Sequence, residues 1–310
     1  MPTPESVRTV AVVGTGVIGG GWAAHFLRMG YDVVAYDPFP SRVAELVTNA
    51  WPALSQLGLA ADASPARLSV VDSLAAAVSS ADFVQESTPE NLAGKIEVLR
   101  SIDSHTPADV VVASSTSGFA MTDMQVTCAR PERFVVGHPF NPPYLIPLVE
   151  VVGGAATSSA SVEWAASFYR LAGKKPLVMD RELPGFIGNR LQEAMWREAL
   201  HMVDAEEATV SQIDASIAYG PGLRWAQMGP CLTFHLAGGQ GGMAHMLDHF
   251  GPALLEPWTR LSAPELTPSL RDRMVSGCLT EADGRSITEL EQRRDAFLVD
   301  LLLLLEKHEL

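Results

Sequence analysis

The feature that most constrains the fold is a glycine-rich turn placed between a predicted strand and a predicted helix. The turn reads Gly14-Thr15-Gly16-Val17-Ile18-Gly19 and follows the apolar run at residues 9–13. At such a turn the first N–H groups of the helix are free to bind an anion, and glycine lets a phosphate approach the backbone. A second β-branched run, residues 32–36, follows the helix and ends next to Asp37. This order predicts a parallel βαβ unit that binds a dinucleotide.

Each residue of the turn has a predicted role in that binding. Gly14 allows the tight turn, Gly16 admits the pyrophosphate, and Gly19 lets the helix pack closely on the strand. Val17 and Ile18 lie where the helix N-terminus offers its N–H groups to the anion. Asp37 is eighteen residues beyond Gly19, where a carboxylate accepts hydrogen bonds from both adenosine ribose hydroxyls and repels a 2′-phosphate. The sequence therefore predicts NAD as the cofactor rather than NADP.

Short apolar runs alternate with helical segments through the first half of the chain. Further candidate strands lie at residues 83–85, 110–113, 134–137 and 148–152, and helical segments at 20–29, 40–57 and 91–101. This alternation is typical of an α/β, doubly wound parallel sheet with helices on both faces. After Pro184 the pattern becomes helical. We therefore predict a Rossmann-type domain over residues 1–182 and an all-helical domain over residues 183–310.

Charge and cysteine content exclude several classes of function. The chain carries 22 Lys and Arg against 36 Asp and Glu, a formal net charge of −14, whereas nucleic-acid binding requires a basic face. Its three cysteines, Cys128, Cys231 and Cys278, are far apart, so neither a disulfide framework nor a metal site is predicted. No signal peptide and no membrane-spanning run of about 20 apolar residues are visible. We expect a cytoplasmic protein.

A histidine just after one predicted strand and an acid inside a later apolar run form the candidate catalytic pair. His138 lies directly after the run at 134–137, and Glu150 follows twelve residues later inside the apolar run 147–152. Burial of a carboxylate in such a run is costly unless it is paired, and a neighbouring imidazole is a suitable partner. Oxidation of an alcohol needs a base of this kind and a group that orients it. A structural loop histidine is the alternative interpretation, which Glu150 disfavours.

Together these motifs resemble the 3-hydroxyacyl-CoA dehydrogenase family over nearly the whole chain. The matching segments are the glycine-rich turn and residues 114–117, 138–142, 148–151 and 184–191. The resemblance implies NAD-dependent oxidation of a 3-hydroxyl group, with His138 as the proton acceptor and Glu150 as its orienting carboxylate.

The same resemblance implies roles for four more residues. Ser117 and Asn189 would contact the substrate oxygen, and Glu90 and Lys95 match the family's loop beside the nicotinamide ribose. Two positions depart from the family pattern, since Ser115 replaces an Asn and Gly188 replaces a Val. Neither departure removes a group that the mechanism requires.

The distribution of basic residues bears on the substrate. Enzymes that bind coenzyme A supply cations to its phosphates, and acyl-CoA members of the family carry a lysine-rich hairpin after the second strand. Residues 38–89 contain no lysine here, and their basic residues are Arg42 and Arg67. A small free 3-hydroxy acid therefore fits better than a CoA thioester. Residues 219–243 and 289–295 are more similar to the L-carnitine dehydrogenase branch of the family than to the L-gulonate dehydrogenase and lambda-crystallin branch.

The helical domain supplies candidates for a substrate with a trimethylammonium group and a carboxylate. Aromatic rings bind quaternary ammonium groups through cation–π contacts, and arginines pair with carboxylates. The candidates are Trp196, Trp225, Phe234 and Trp258 for the ammonium group, and Arg190 or Arg224 for the carboxylate. The alternative is that the aromatic residues form the core of the domain, the usual place for such side chains.

Other functions stay open at this stage. They are oxidation of 3-hydroxybutyryl-CoA, oxidation of L-gulonate, and a non-enzymatic role as an NAD-binding sensor or a crystallin-like structural protein. Dehydrogenases of the 3-hydroxyisobutyrate and 6-phosphogluconate type use a catalytic lysine in the second domain; the matching helix has Arg190 and Arg197 and no lysine, so that class is excluded. The leucine run at 301–305 covers more than one helix face, and we expect a homodimer through the helical domain.

Overall fold

The computed structural model describes residues 1–39, 42–250, 259–260, 262, 265 and 267–307. The chain divides into two compact units, Met1–Asn189 and Arg190–Leu310. Residues 183–189, which the sequence pattern grouped with the helical domain, are thus counted with the first unit. The cofactor-binding and substrate-binding roles assigned to the two domains remain predictions.

The first unit contains one eight-stranded sheet with helices on both faces. Its strands are β1 (Thr9–Val13), β2 (Asp32–Tyr36), β3 (Leu68–Val70), β4 (Phe83–Glu86), β5 (Val111–Ser114), β6 (Phe134–Pro139), β7 (Leu148–Gly153) and β8 (Lys175–Val178). Its helices are α1 (Val17–Arg28), α2 (Val43–Gln56), α3 (Leu74–Val78), α4 (Leu92–His105), α5 (Met121–Met124) and α6 (Ser159–Leu171). The strand order is β3-β2-β1-β4-β5-β6-β7-β8. The predicted doubly wound fold is confirmed.

One strand pair departs from the fully parallel sheet expected from the sequence. Strands β6 and β7 run antiparallel, whereas the other neighbours run parallel. The loop between them, residues 140–147, is too short for the crossover of about a dozen residues that a parallel pair needs. The antiparallel register places His138 directly opposite Glu150.

The edge strands β3 and β8 were not anticipated. Both are short, and most of their residues are exposed or half-buried. They therefore lack the continuous apolar run that identifies the inner strands. The central strands β1, β4 and β5 are buried on both faces, as expected for a sheet covered by helices on each side.

Aromatic packing forms the core on one face of the sheet. Trp22 and Phe26 of α1 stack with ring centroids 5.2 Å apart, and Phe83 of β4 lies 4.4 Å from Phe168 of α6. All four side chains are fully buried. On the other face smaller side chains of β1 and β4 pack against α3 and α4. Val84 of β4 and Leu99 and Ile102 of α4 belong to this cluster. This core holds the carboxyl ends of the strands in place.

The second unit is helical throughout its described residues, as predicted. Its helices are α7 (Gly188–Asp204), which begins in the first unit, α8 (Val210–Ala218), α9 (Pro221–Trp225), α10 (Pro230–Ala237), α11 (Gly242–Phe250), α12 (Pro268–Ala282) and α13 (Ile287–Lys307). A buried cluster of Val203, Val210 and Leu270 joins α7, α8 and α12. Among the described helices of the chain, none is both long and apolar enough to cross a membrane.

Candidate active site

Close backbone contacts explain why two positions of the glycine-rich turn must be glycine. Gly14 has a φ of 87°, and a Cβ atom on it would lie 2.6 Å from the Ser87 carbonyl oxygen. A Cβ atom on Gly19 would lie 1.8 Å from the Gly14 carbonyl oxygen. A Cβ on Gly16, which caps the N-terminus of α1, would meet nothing within 4 Å. The turn therefore leaves open space at Gly16, where a pyrophosphate can approach the backbone.

Asp37 is held at the end of β2 beside this turn. Its Oδ2 accepts hydrogen bonds from the Thr15 N–H at 2.8 Å and the Thr15 hydroxyl at 3.2 Å. Its Oδ1 accepts one from the Phe39 N–H at 3.0 Å. Since each ionised carboxylate oxygen can accept more than one hydrogen bond, Asp37 is oriented by the protein and still able to bind ribose hydroxyls.

A cavity of about 840 Å³ extends from the turn along the carboxyl ends of the strands. This volume is within the usual range for a ligand site, about 300–1,000 Å³. Among the predicted cofactor residues, those that line it are Gly14, Gly16, Val17, Ile18, Asp37 and Glu90. The predicted catalytic residue Ser117 also lines it. The open glycine, the helix N-terminus and the carboxylate of Asp37 together fit a bound NAD molecule.

Lys95 is buried on α4 and follows Gly94, which lines the cavity. Its ammonium group is 2.9 Å from the Glu86 carboxylate, and both side chains are buried. The same group donates to the Thr88 carbonyl oxygen at 3.1 Å and lies 3.6 Å from Glu90. Lys95 therefore fixes the loop at residues 87–90, and we propose that it supports cofactor binding through that loop.

Glu90 connects this loop to the predicted substrate-binding residues. Its Oε1 accepts hydrogen bonds from the Thr116 hydroxyl at 2.7 Å and the Ser117 N–H at 2.9 Å. The Asn189 side-chain amide donates to the Ser117 carbonyl oxygen at 2.8 Å. The structure thus brings Glu90, Ser117 and Asn189 together, and their roles in binding cofactor and substrate stay predictions.

His138 and Glu150 form a buried pair across β6 and β7. The distance from His138 Nδ1 to Glu150 Oε2 is 2.8 Å, and the two residues are 3% and 0% exposed. The second carboxylate oxygen accepts hydrogen bonds from the N–H groups of Ile187 and Gly188, both at 2.9 Å. Burial by itself raises the pKa of Glu150, but the hydrogen bonds from His138, Gly188 and Ile187 outweigh it and hold the pKa below its usual value. Glu150 is therefore a carboxylate at neutral pH.

Two aromatic rings confine the His138 imidazole. The centroids of Phe140 and Phe186 lie 4.9 Å and 5.3 Å from that of His138. Phe186 has a φ of 54°, in the left-handed region that non-glycine residues rarely adopt. A Cβ atom on Gly188 would lie 2.4 Å from Cζ of Phe140. The Phe140 ring thus occupies the space beside Gly188, one of the two departures from the family pattern.

The substrate candidates of the second unit lie on three helices. Arg190 and Trp196 belong to α7, Arg224 and Trp225 to α9, and Phe234 to α10. Trp196 and Phe234 are 53% and 51% exposed, and Trp196 lines a cavity of about 850 Å³ formed by second-unit residues. Trp258 lies outside the described residues.

Several residues of the site escaped the sequence analysis. Ser87 and Thr88 line the large cavity of the first unit. Their position directly after β4 is a usable signal, because ligands of doubly wound folds bind at the carboxyl ends of the strands. The backbone donors at Ile187 and Gly188 have no such signal. The described residues contain no group of three or more His, Cys, Asp or Glu side chains placed to hold a metal ion.

Comparison with known proteins identifies two family domains in the chain. The model described as the 3-hydroxyacyl-CoA dehydrogenase NAD-binding domain matches residues 9–183. The model of the C-terminal domain of the same family matches residues 185–272. Together the two matches cover most of the sequence.

Two L-carnitine dehydrogenases match this chain over almost its full length. An L-carnitine dehydrogenase of Nocardiopsis dassonvillei is 64% identical, over 99% of this chain and 94% of that protein. One of Streptomyces griseus is 65% identical, over 96% and 90%. Among solved structures, a 5-formyl-3-hydroxy-2-methylpyridine 4-carboxylic acid 5-dehydrogenase, an NAD+-dependent dismutase, is 30% identical with a TM-score of 0.83, over 97% and 99%. A 3-hydroxybutyryl-CoA dehydrogenase of Escherichia coli K12 is 28% identical with a TM-score of 0.65, over 88% and 57%.

Two glycine substitutions separate the structural and the binding roles of the turn. We expect Gly19→Ala to lower the free energy of unfolding by about 1–3 kcal/mol, because its methyl group collides with the backbone of Gly14. Gly16→Ala should leave the free energy of unfolding within about 0.5 kcal/mol of the wild type and still weaken NAD binding. Urea unfolding and calorimetric titration with NAD measure the two effects. Unchanged NAD affinity in Gly16→Ala would contradict the assigned approach of the pyrophosphate.

The lowered pKa of Glu150 predicts how stability depends on pH. A carboxyl group whose pKa is lower in the folded state stabilises the protein above its unfolded-state pKa of about 4.3, and this contribution disappears as the pH falls through the folded value. The difference in unfolding free energy between the wild type and Glu150→Gln should therefore be constant near neutral pH and shrink towards pH 3. A difference that grows on acidification would show that Glu150 is not a stabilised carboxylate.

Proposed function

The chain belongs to the 3-hydroxyacyl-CoA dehydrogenase family and is an NAD-dependent oxidoreductase acting on a CH–OH group, and we propose that it oxidises L-carnitine to 3-dehydrocarnitine. The observation that carries the proposal is the similarity, at 64% and 65% identity over almost the whole length, to proteins named L-carnitine dehydrogenase. L-Carnitine is a small 3-hydroxy acid, so it presents the hydroxyl group that the family oxidises.

His138 acts as the base in the proposed mechanism. Its Nδ1–H donates to Glu150, so in the neutral ring Nε2 carries no proton and can accept the one from the substrate hydroxyl. The ionised Glu150 then stabilises the imidazolium that forms. Bound NAD+ supplies the acceptor for the hydride that leaves C3 of the substrate. Ser117 and Asn189 hydrogen-bond the substrate oxygen and fix its orientation.

The first unit provides the cofactor site of this proposal. The start of α1, with Val17 and Ile18, binds the pyrophosphate, and Asp37 binds the adenosine ribose. Glu90 binds the nicotinamide ribose. The support is that all of them line one cavity. Gly19 and the buried Lys95 act indirectly, by holding the turn and the loop at 87–90.

The basic residues of the segment 38–89 favour a free acid over a CoA thioester. Arg42 pairs with Glu45, and Arg67 lies 3.1 Å from Asp32. Both guanidinium groups already pair with carboxylates, and the segment has no further Lys or Arg to meet the phosphates of coenzyme A. The net charge of −14 also favours a substrate that carries a cationic group.

We propose substrate-binding roles for aromatic and basic residues of the second unit. The exposed rings of Trp196 and Phe234 and the half-buried ring of Trp225 are available for cation–π contact with the trimethylammonium group, and Arg190 or Arg224 would pair with the carboxylate. Trp258 completes the set of aromatic candidates.

A comparison of substrates tests the proposed function. NADH formation is followed with L-carnitine, L-gulonate and 3-hydroxybutyryl-CoA under the same conditions. We expect the highest kcat/KM with L-carnitine and complete loss of that turnover in His138→Ala, which should still bind NAD. Turnover of the CoA ester alone would overturn the assigned substrate. Absence of turnover with all three would favour an NAD-binding sensor or structural protein.

We further propose that the protein is a cytoplasmic homodimer formed through the second unit. Large apolar side chains on three of its helices, Leu223, Leu236 and Leu247, are 66%, 58% and 56% exposed, which is costly for a monomer in water. The three cysteines are free thiols, in keeping with a reducing compartment. Light scattering at micromolar concentration should give twice the chain mass of 33.2 kDa. A value of one chain mass would contradict the dimer.

A further inference from the structure

Ser115 is the centre of a small network of polar side chains at the wall of the cavity in the first unit. Its hydroxyl oxygen receives hydrogen bonds from the Gln85 side-chain amide at 2.8 Å and from the Trp22 indole N–H at 3.2 Å. It also lies 2.8 Å from the hydroxyl oxygen of Ser87. Trp22, Gln85 and Tyr169, which bonds the far side of the Gln85 amide, are fully buried. Ser87 and Ser115 line the cavity.

The orientation of the Gln85 amide follows from its two buried neighbours. The end that faces Ser115 is also 3.5 Å from the Gly137 carbonyl oxygen, which can only accept a hydrogen bond. That end is therefore the NH₂ group. The opposite end is the amide oxygen, which accepts a hydrogen bond from the Tyr169 hydroxyl at 2.6 Å. The amide thus donates to Ser115.

This orientation determines the direction of every remaining hydrogen bond. The Ser115 oxygen accepts from both Gln85 and Trp22, and a hydroxyl oxygen has two acceptor sites. The Ser115 hydrogen must then be donated, and the Ser87 oxygen is its partner. Ser87 therefore accepts at that contact and keeps its own hydrogen. Within the part of the chain that the structure describes, no acceptor receives this hydrogen, and Ser87 borders the cavity.

We infer that Ser87 is a cofactor-binding residue whose hydroxyl, oriented as a donor by Ser115 and Gln85, gives a hydrogen bond to an oxygen of the bound dinucleotide. The position of Ser87 indicates which part of the cofactor its hydroxyl contacts. The Ser87 Cβ lies 3.3 Å from the place a Cβ on Gly19 would occupy, and the Ser87 backbone abuts Gly14. Ser87 follows β4 and Asp37 follows β2, and β1 lies between these two strands. Ser87 therefore faces the pyrophosphate or the ribose that follows it, rather than the adenosine that we assign to Asp37.

Equilibrium binding of cofactor fragments tests this assignment without reference to turnover. Titration calorimetry compares wild type and Ser87→Ala with AMP, ADP, ADP-ribose and NAD. One lost hydrogen bond predicts about 3- to 10-fold weaker binding of NAD and ADP-ribose, with AMP unchanged. An equal loss with ADP would identify the pyrophosphate as the acceptor, and an unchanged ADP affinity would identify the ribose.

Ser104→Ala, which removes an exposed hydroxyl of α4 outside the network, is the matched control and should change none of the four affinities.

NAD affinity in Ser87→Ala equal to that of the control would overturn the inference. Equal weakening of AMP would also overturn it, because general damage to the site would then explain the result. Ser87→Ala removes a single half-buried oxygen and leaves the buried donors of Trp22 and Gln85 satisfied by Ser115. Thermal unfolding of the variant should accordingly match that of the wild type.

Gln85→Glu tests the direction of the network. The new carboxylate accepts at both ends, so the Ser115 hydrogen turns towards it and Ser115 then accepts from Ser87. The Ser87 hydrogen is thereby withdrawn from the cofactor. In the Gln85→Glu background, we expect Ser87→Ala to weaken ADP-ribose binding by less than twofold. Retention of the full 3- to 10-fold effect in that background would contradict the inferred direction, and Ser87→Ala alone keeps the assignment testable if Gln85→Glu does not fold.

Discussion

The arrangement of the active site depends on one buried carboxylate. Glu150 has no exposed surface, and such a group is tolerated in an apolar sheet only when donors replace the water it has lost. The donors come from separate segments: the imidazole of His138 on β6, and the N–H groups of Ile187 and Gly188 at the start of α7. Satisfying Glu150 therefore also fixes the ring nitrogen that His138 presents and the place where α7 begins.

A second set of contacts links the cavity of the first unit to the proposed substrate-binding residues. The buried pair of Lys95 and Glu86 holds the loop at 87–90, and Glu90 in turn holds the backbone of Ser117. Asn189 then bonds the Ser117 carbonyl oxygen. Polar groups that are mutually satisfied in this way are rigid, so the residues proposed to bind the cofactor and those proposed to bind the substrate are positioned together.

Much of this could be predicted from sequence, because the signals are local. The glycine-rich turn and Asp37 follow from the pattern of a single βαβ unit, and the pairing of His138 with Glu150 follows from the cost of an acid in an apolar run. The antiparallel pairing of β6 and β7 also has a local signal, the short connection at residues 140–147. The burial of Lys95 and the network at Ser115 depend on contacts between distant segments. Composition and spacing carry no information on such contacts, and the short, exposed strands β3 and β8 lack the apolar pattern that reveals the others.

In the proposed mechanism Glu150 holds His138 as a base with its free nitrogen at Nε2. The most direct test is ¹⁵N nuclear magnetic resonance of the histidine-labelled protein, with the His138 signals identified by their loss in His138→Ala. At a pH where the ring is neutral, we predict the tautomer protonated at Nδ1 in the wild type and a mixture of tautomers in Glu150→Ala. A wild-type His138 protonated at Nε2 would rule out this role, since that ring could not accept the substrate proton there.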